Sequence, residues 1–204
     1  MFSERYWPSR RQQTEIGSDK EQLALSSMKA VQLFPYDVSV KSRGETLPER
    51  IEQTKKVKRG ACTAKHELLA ANLNELGYSI LFLTYPFLWD DLLVEYPKDI
   101  LELAKHMPVQ YHLALGLLVN NTMELIDVTW DPLLKQAGFP VGEIGANIIS
   151  MPMAVVPENI PVVHFTAEER AEYINTLKST MTWTQTIPDF YSRLNSWLES
   201  LRSR

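Results

Sequence analysis

The chain has 204 residues, enough for one sizeable domain with its own core, and we expect a single unit. Hydrophobic residues make up 45% and charged residues 23% of the sequence, which are ordinary values for a globular protein and argue against disorder. The net charge of -4 argues against a nucleic-acid partner, because neutralising phosphates requires an overall basic face.

Cys62 is the only cysteine of the chain, so no intrachain disulfide can form and the usual signature of a small secreted domain is missing. The first residues, Met1–Pro8, lack the apolar segment of a secretory signal, and no window approaches the ~20 apolar residues of a membrane span. We therefore expect a cytoplasmic protein without a membrane partner.

The N-terminal third predicts little regular structure before one helix. Residues 1–22 are polar and show no period, which predicts a loosely ordered arm. The apolar stretch Ala30–Phe34 is followed by Pro35 and predicts a short strand and a turn. Leu47–Gln53 begins with a proline and acidic residues in the first turn, which predicts a short helix.

A buried helix is predicted from Ala61 to Leu76, ending at Gly77 in the left-handed position after the helix. Its apolar residues cover much of the circumference, which predicts a helix that is buried rather than one with a solvent-exposed face. Cys62 lies in its first turn, where unpaired backbone N–H groups favour a thiolate and offer donors to an oxyanion. The alternative is that Cys62 is a small buried hydrophobic residue.

Two charged stretches have an ordinary and a functional interpretation. The basic run Lys55–Arg59 is either a solvated segment or a site that attracts an anionic substrate. The pair Asp90 and Asp91 is either a solvated turn or, together with Trp89, part of a substrate groove.

The central region predicts a β-hairpin. Apolar runs at Tyr111–Val119 and Thr122–Asp131 flank Asn120-Asn121, a dipeptide that tolerates the backbone of a two-residue turn. In this register Val119 pairs with Thr122, and Asp127 falls opposite Ala114, diagonal to His112 on the same face. A shift of one residue would put His112 and Asp127 on opposite faces. Before the hairpin, Tyr78–Tyr85 predicts a strand ended by Pro86, and Pro97–His106 predicts a short helix.

The C-terminal part predicts two strands and two helices. The strands are expected at Ile148–Met151 and Met153–Val156. Thr166–Glu169 is a capping-box pattern that opens a helix, and a second helix opens near Thr186. We expect this helical extension, residues 161–204, to pack on a core formed by residues 23–160 as a lid or brace. A role in binding a partner is the alternative.

A thiol at a helix start, a histidine on a strand and an aspartate on the next strand are the parts of a Cys-His-Asp triad, here Cys62, His112 and Asp127. The order of Gly60-Ala61-Cys62, His112 and Asp127-Val128-Thr129-Trp130 resembles the transglutaminase-like superfamily of thiol enzymes. The segment Arg59–His66 resembles a bacterial and archaeal branch of that superfamily.

The resemblance implies an α+β fold with a papain-like and transglutaminase-like core, in which the cysteine helix packs on an antiparallel sheet. It implies a hydrolase or acyltransferase that acts on a peptide or protein amide through a thioester on Cys62, with no cofactor. It does not imply protein cross-linking. One alternative is a non-catalytic binding module with a vestigial triad. Another is acetyl transfer like that of arylamine N-acetyltransferases, although Arg59-Gly60 is only a faint match to the arginine-rich motif of those enzymes.

Other assignments compete for the same residues. His66, one turn after Cys62, is a candidate base, but it would have to reach backward along its own helix. A metal site from Cys62, His66 and either His106 or His112 lacks paired ligand spacing, so we predict no metal.

The aromatic and remaining polar candidates are less specific. Trp130 and Trp89 are candidate walls of the site, although Trp130 and Asp131 are equally well explained as structural residues. His164 is interpreted as a surface histidine or one with its hydrogen bonds satisfied. The backbone N–H of Cys62 is a candidate oxyanion donor, with a second donor that the sequence does not identify.

Overall fold

The computed structural model describes residues 10–39, 46–119, 121–182 and 184–203. Within these ranges the α-helices are α1 (Arg10–Gln32), α2 (Leu47–Val57), α3 (Cys62–Glu75), α4 (Lys98–Ala104), α5 (Ala167–Ser179) and α6 (Thr186–Arg202). The strands are β1 (Ile80–Phe87), β2 (Gln110–Val119), β3 (Thr122–Ile126) and β4 (Val162–His164). Short 3-10 helices lie at Trp89–Asp91 and Pro132–Ala137. None of the described helices combines the length and the apolar character needed to cross a membrane.

The four strands form one antiparallel sheet in the order β3-β2-β1-β4. Helix α3 packs on β2 and β1, while α1 and α2 pack on α3. The fold is therefore α+β, as predicted.

The hairpin has the predicted register. Val119 pairs with Thr122, and the ladder continues to Leu115 and Ile126. Asn121 has a φ of 64°, the positive value that such a turn needs, whereas Asn120 lies outside the described residues. The same register, extended by one residue, brings Asp127 to the level of Ala114.

Helix α3 is buried and ends as predicted. Leu69 and Leu73 are fully buried, and Gly77 follows the helix with a φ of 75°. Its entry depends on Gly60, where an added Cβ would lie 2.8 Å from the Cβ of Ala64. The first turn of α3 can therefore approach the preceding chain only because residue 60 has no side chain.

The strand predicted at Ala30–Phe34 is wrong, because α1 continues to Gln32. Ala24, Met28 and Val31 are buried at helical spacing against α3. This spacing extends over several helical turns and outweighs the local strand preference of the β-branched residues. The part of the predicted arm that follows residue 9 is also helical, while residues 1–9 lie outside the described residues.

The strands predicted at Ile148–Met151 and Met153–Val156 are also wrong. This segment runs beside β3 but hydrogen bonds mainly through side chains, since Leu125 N–H donates to Ser150 Oγ at 3.0 Å and Ala154 N–H to Asp127 at 2.8 Å. It therefore forms no backbone ladder.

Strand β1 continues through Pro86 instead of ending there. Its neighbour β4 pairs only with Phe82–Thr84, so the missing N–H of Pro86 falls where no strand needs it. Strand β4 itself was not predicted.

The described core has two buried clusters. One joins α1 and α3 to the sheet, and the other joins α4, α6 and the chain after β3. Phe190, Leu194 and Leu198 of α6 are fully buried in the second cluster with Trp89 and Trp130. Helix α6 thus packs against Trp89 and Trp130, which lie before and after the hairpin in the chain.

We expect Leu194→Ala to lower the free energy of unfolding by about 2–5 kcal/mol, because it leaves a cavity in that cluster. Leu93→Ala is the matched control, since Leu93 is 91% exposed. Urea denaturation measures both variants. A local fraying of α6 at unchanged midpoint would contradict the expectation.

Candidate active site

Three secondary-structure elements bring the predicted triad together. Cys62 is the first residue of α3, His112 lies in β2, and Asp127 directly follows β3. The Nε2 atom of His112 lies 2.7 Å from Oδ2 of Asp127, with both side chains buried. The hairpin register thus places the histidine and the carboxylate in contact.

Asp127 is held ionised in the interior. Burial raises the pKa of this carboxyl, but the charge and hydrogen bond of His112 outweigh burial, so the pKa lies well below its ordinary value. Two backbone N–H groups also donate to it, from Ala154 at 2.8 Å and from Thr129 at 3.2 Å. Asp127 therefore has the partners that a buried carboxylate requires.

His112 is held as an imidazolium between two anions. Burial lowers its pKa, but the charge of Asp127 and the hydrogen bonds to Asp127 and Cys62 raise it to about 10. Because Nε2 faces Asp127, Nδ1 is the nitrogen left to interact with the sulfur of Cys62.

Cys62 is correspondingly acidic. Burial raises the pKa of the thiol, but the hydrogen bond and charge of His112, the charge of Arg170 and the N–H of Leu113 together bring it to about 7. The side chain is partly exposed, so a reagent can reach it. A low-pKa, accessible thiol beside a histidine is the arrangement of a reactive cysteine.

His66 cannot serve this thiol as a base in the observed geometry. Its Nδ1 lies 2.8 Å from the carbonyl oxygen of Cys62, and its Nε2 accepts the N–H of Val128 at 3.1 Å. Burial lowers its pKa to about 4, so the ring is neutral and both nitrogens are occupied. His66 instead ties the first turn of α3 to the residue after Asp127.

Lys65 makes a second such tie. Its ammonium is fully buried and donates to the carbonyl oxygens of Gln32, Phe34 and Thr129 at 2.8–3.1 Å. Burial lowers its pKa to about 7, although three carbonyl acceptors satisfy all three of its protons. Lys65 was not predicted from the sequence.

Trp130 and Asp131 are anchored structurally. The indole N–H of Trp130 donates to Ala154 at 2.8 Å, and Asp131 pairs with Arg202 of α6 at 2.7 Å. Trp89 is buried and touches Phe87, whose ring in turn meets the edge of His112. Both tryptophans thus brace the surroundings of His112 and Asp127.

The remaining candidates lie in ordinary settings. Asp90 and Asp91 are exposed, and His106 is exposed at the end of α4. His164 is buried on β4 against Tyr173 rather than at the surface, and its Nε2 has no hydrogen-bond partner among the described residues. Among the described residues no group of three or more His, Cys, Asp or Glu side chains is placed to hold a metal ion.

Residues of the basic run Lys55–Arg59 form ion pairs with nearby acidic side chains. Lys55 pairs with Glu52, and Arg59 pairs with Asp37 and Glu199. The left-handed Lys58 ends helix α2.

Arg170 is the most consequential residue that the sequence analysis missed. It is 5% exposed on α5 and donates to Thr63, next to Cys62, to Thr84 and to the carbonyl oxygen of Tyr111, next to His112. A signal was present, because Ala167, Arg170 and Ile174 follow helical spacing and form the buried face of α5. An arginine on such a face needs a partner.

A cleft of about 530 Å³ lies next to the triad, although neither Cys62 nor His112 itself lines it. Its walls include Thr63 and Tyr111, the sequence neighbours of Cys62 and His112. The other side is formed by α5 and the start of α6, including Arg170 and Tyr191. The helical extension therefore supplies part of the surface that a substrate would meet.

No protein-family model matches this sequence, and no curated protein matches it. The resemblance to transglutaminase-like enzymes stays a prediction that rests on the motifs.

We expect Asp127→Asn to destabilise the protein by about 3–5 kcal/mol at neutral pH, because the buried imidazolium loses its counterion. The folded-state pKa of Asp127 lies below the ordinary 3.8, so its stabilisation is present above that value and is lost as the pH falls through the folded pKa. The stability difference between wild type and variant should therefore narrow below about pH 4. Urea denaturation from pH 3 to pH 7 measures it.

Asp91→Asn is the matched control for this series, because Asp91 is exposed. A difference for Asp127→Asn that stays constant across this pH range would show that the carboxylate charge is not what stabilises the fold.

Proposed function

We propose that the protein is a thiol hydrolase or acyltransferase that acts on peptide or protein amides through a thioester on Cys62. The observation that carries the proposal is the contact of His112 with the buried Asp127 at 2.7 Å, together with the influence of His112 that lowers the pKa of the Cys62 thiol. The pKa of the thiol at about 7 and that of His112 at about 10 favour a thiolate-imidazolium pair near neutral pH.

The first half-reaction forms the thioester. The sulfur of Cys62 adds to the amide carbonyl carbon, and the carbonyl electron pair moves to oxygen to give a tetrahedral oxyanion. His112 then gives its proton to the leaving nitrogen as the C–N bond breaks and the amine departs. Asp127 keeps the imidazole ring in place and stabilises its charged form.

The second half-reaction regenerates the thiolate. Neutral His112 accepts a proton from water as the water oxygen adds to the thioester carbonyl carbon, and the C–S bond then breaks. The products are a carboxylic acid, the Cys62 thiolate and the His112 imidazolium. An amine in place of water gives a new amide, so transfer and hydrolysis share every residue.

The start of α3 supports oxyanion stabilisation. Helices α2 and α5 have threonine caps, whereas α3 begins after Ala61 with no side-chain cap. The N–H groups of its first turn are therefore not taken by a capping side chain, and the N–H of Cys62 is the proposed donor.

The same proposal includes a papain-like, transglutaminase-like core, for which the support is a cysteine helix packed on an antiparallel sheet whose hairpin carries the other two residues. A reducing compartment such as the cytoplasm suits a nucleophile that must stay a free thiol.

Alkylation of Cys62 by iodoacetamide should follow the titration of an acidic thiol. We expect the rate to be half-maximal near pH 7 in the wild type, and His112→Ala to move that midpoint up by one unit or more, since the partner that lowers the pKa is lost. Mass spectrometry at a series of pH values gives the rates.

His106→Ala is the control, because His106 is exposed and outside the triad. A wild-type midpoint near the ordinary thiol value, unchanged in His112→Ala, would refute the catalytic assignment and leave a non-catalytic binding module.

An activated ester should acylate Cys62. We expect p-nitrophenyl acetate to give a burst of p-nitrophenol and an acetyl group on Cys62 that turns over, because the ester has a good leaving group. Cys62→Ala should abolish the burst, and His112→Ala should slow acylation by about 10²–10⁴-fold. Stopped-flow absorbance and intact-protein mass spectrometry provide the measurement, and acetylation of lysines alone would contradict it.

A further inference from the structure

The cleft beside Cys62 carries an excess of positive charge. Its four charged side chains are Arg50, Glu67, Arg170 and Lys178. Arg50 and Glu67 neutralise each other through two hydrogen bonds of 3.0 and 2.8 Å. Arg170 and Lys178 remain, and in the part of the chain that the structure describes neither has a carboxylate within ion-pair distance.

Arg170 is an unusual cation for its environment. A guanidinium that is 5% exposed normally has an anionic partner, because moving an unpaired charge out of water is costly. Its three hydrogen bonds, to Thr84, Thr63 and the carbonyl oxygen of Tyr111, are 3.2, 3.3 and 3.4 Å long and reach only neutral acceptors. A guanidinium has five N–H donors, so two remain.

Lys178 lies on the same face of α5 as Arg170. The residues Arg170, Ile174 and Lys178 follow one another at steps of four, and all three line the cleft. Burial lowers the pKa of Lys178 and the charge of Arg170 lowers it further, which is consistent with two cations that share one space. An anion between them would relieve that repulsion.

We infer that this cleft binds a carboxylate of the substrate, held by Arg170 and Lys178 beside the amide that Cys62 attacks. The inference rests on the proposed function and adds a substrate class to it. The two remaining guanidinium donors match the two oxygens of a carboxylate. A phosphate, at about −1.5 to −2 charges, would also be offset by these two cations, so inorganic phosphate is included as a competitor in the test below.

The geometry limits where this carboxylate sits in the substrate. Arg170 donates to Thr63 and Tyr111, each one residue from a member of the triad. The charge of Arg170 also lowers the pKa of Cys62, so we expect the bound carboxylate to lie close to the reacting amide, as in a short acidic peptide or a residue at the end of a chain. Ile174, Met181 and Ile187 add apolar surface to the cleft, alongside polar residues such as Gln110 and Asn175.

Two alkylating reagents that differ in one group test this binding without a known substrate. Iodoacetate carries a carboxylate where iodoacetamide carries a neutral amide, and both react with the same thiolate. We expect the ratio of their rates at Cys62, iodoacetate over iodoacetamide, to exceed the ratio for a free thiol by about tenfold at low salt. The excess should shrink in 0.5 M NaCl, because salt screens the attraction.

Substitutions that change charge identify the residues responsible for the excess rate ratio. Lys178→Glu should bring the ratio down severalfold, and the ratio is compared at a pH where the thiol is fully ionised because the charges of Lys178 and Cys62 influence each other. Lys98→Glu, the same charge change at an exposed lysine of α4, is the control and should leave the ratio unchanged.

Arg170→Gln should abolish the excess, and Arg170→Lys should restore part of it. Because Arg170 also lowers the pKa of Cys62, these variants are compared by the rate ratio at a pH where the thiol is fully ionised in each. Circular dichroism and urea denaturation identify a variant that has failed to fold, in which case Lys178→Glu decides the test.

Protection experiments separate the sources of the carboxylate. N-acetyl-glycyl-glycine offers a terminal carboxylate, N-acetyl-glutamyl-glycinamide a side-chain carboxylate, and N-acetyl-glycyl-glycinamide none. Slower iodoacetamide labelling with either acidic peptide than with the neutral one supports the inference and names the source. Equal protection by all three, or stronger protection by inorganic phosphate at matched ionic strength, overturns it.

Different results would refute the proposed function and the carboxylate site. If Cys62 behaves as an ordinary thiol toward both reagents, the proposed function fails. If Cys62 is acidic and fast toward iodoacetamide, but its iodoacetate ratio equals that of a free thiol, the enzyme assignment stands and the carboxylate site is refuted.

Discussion

The ionised carboxylate of Asp127, buried away from water, is the constraint on which the site depends. An isolated charge in that position would be prohibitively costly, so its surroundings must supply donors. His112 on β2, the N–H of Thr129 and the N–H of Ala154 do so from three parts of the chain. The conformation of the 148–156 segment follows from this need, since Ala154 must turn its N–H inward rather than pair with a strand.

Two buried cations near Asp127 are likewise paired with specific acceptors. Lys65 gathers three carbonyl groups from the end of α1 and the chain after Asp127, and Arg202 closes on Asp131. Arg170 differs, because its hydrogen bonds reach neutral groups and two of its donors have no partner among the described residues. The fold thus balances its buried charges where they are structural and leaves a positive excess at the cleft beside the thiol.

Sequence reasoning predicted the parts of the site that depend on local patterns. The start of α3 at Cys62, its end at Gly77 and the register through Val119 and Thr122 follow from helical period, glycine geometry and turn chemistry. It failed where contacts distant in sequence decide. Ala30–Phe34 joined a long helix because α3 offers a surface for Ala24, Met28 and Val31. Ile148–Met151 forms no strand because most of its hydrogen-bond partners are side chains.

The sequence by itself determined which residue types are available and the order Cys62, His112, Asp127. It also placed His112 and Asp127 on one face of the hairpin, because a two-residue turn and an alternating strand fix which side chains share a face. Only the tertiary structure decided that His66 is fully engaged and that Arg170 faces the cleft beside the thiol. Arg170 lies 108 residues after Cys62, and nothing local links them. Their proximity comes from packing α5 on the sheet, where burial converts an unremarkable arginine into a charge that needs a ligand.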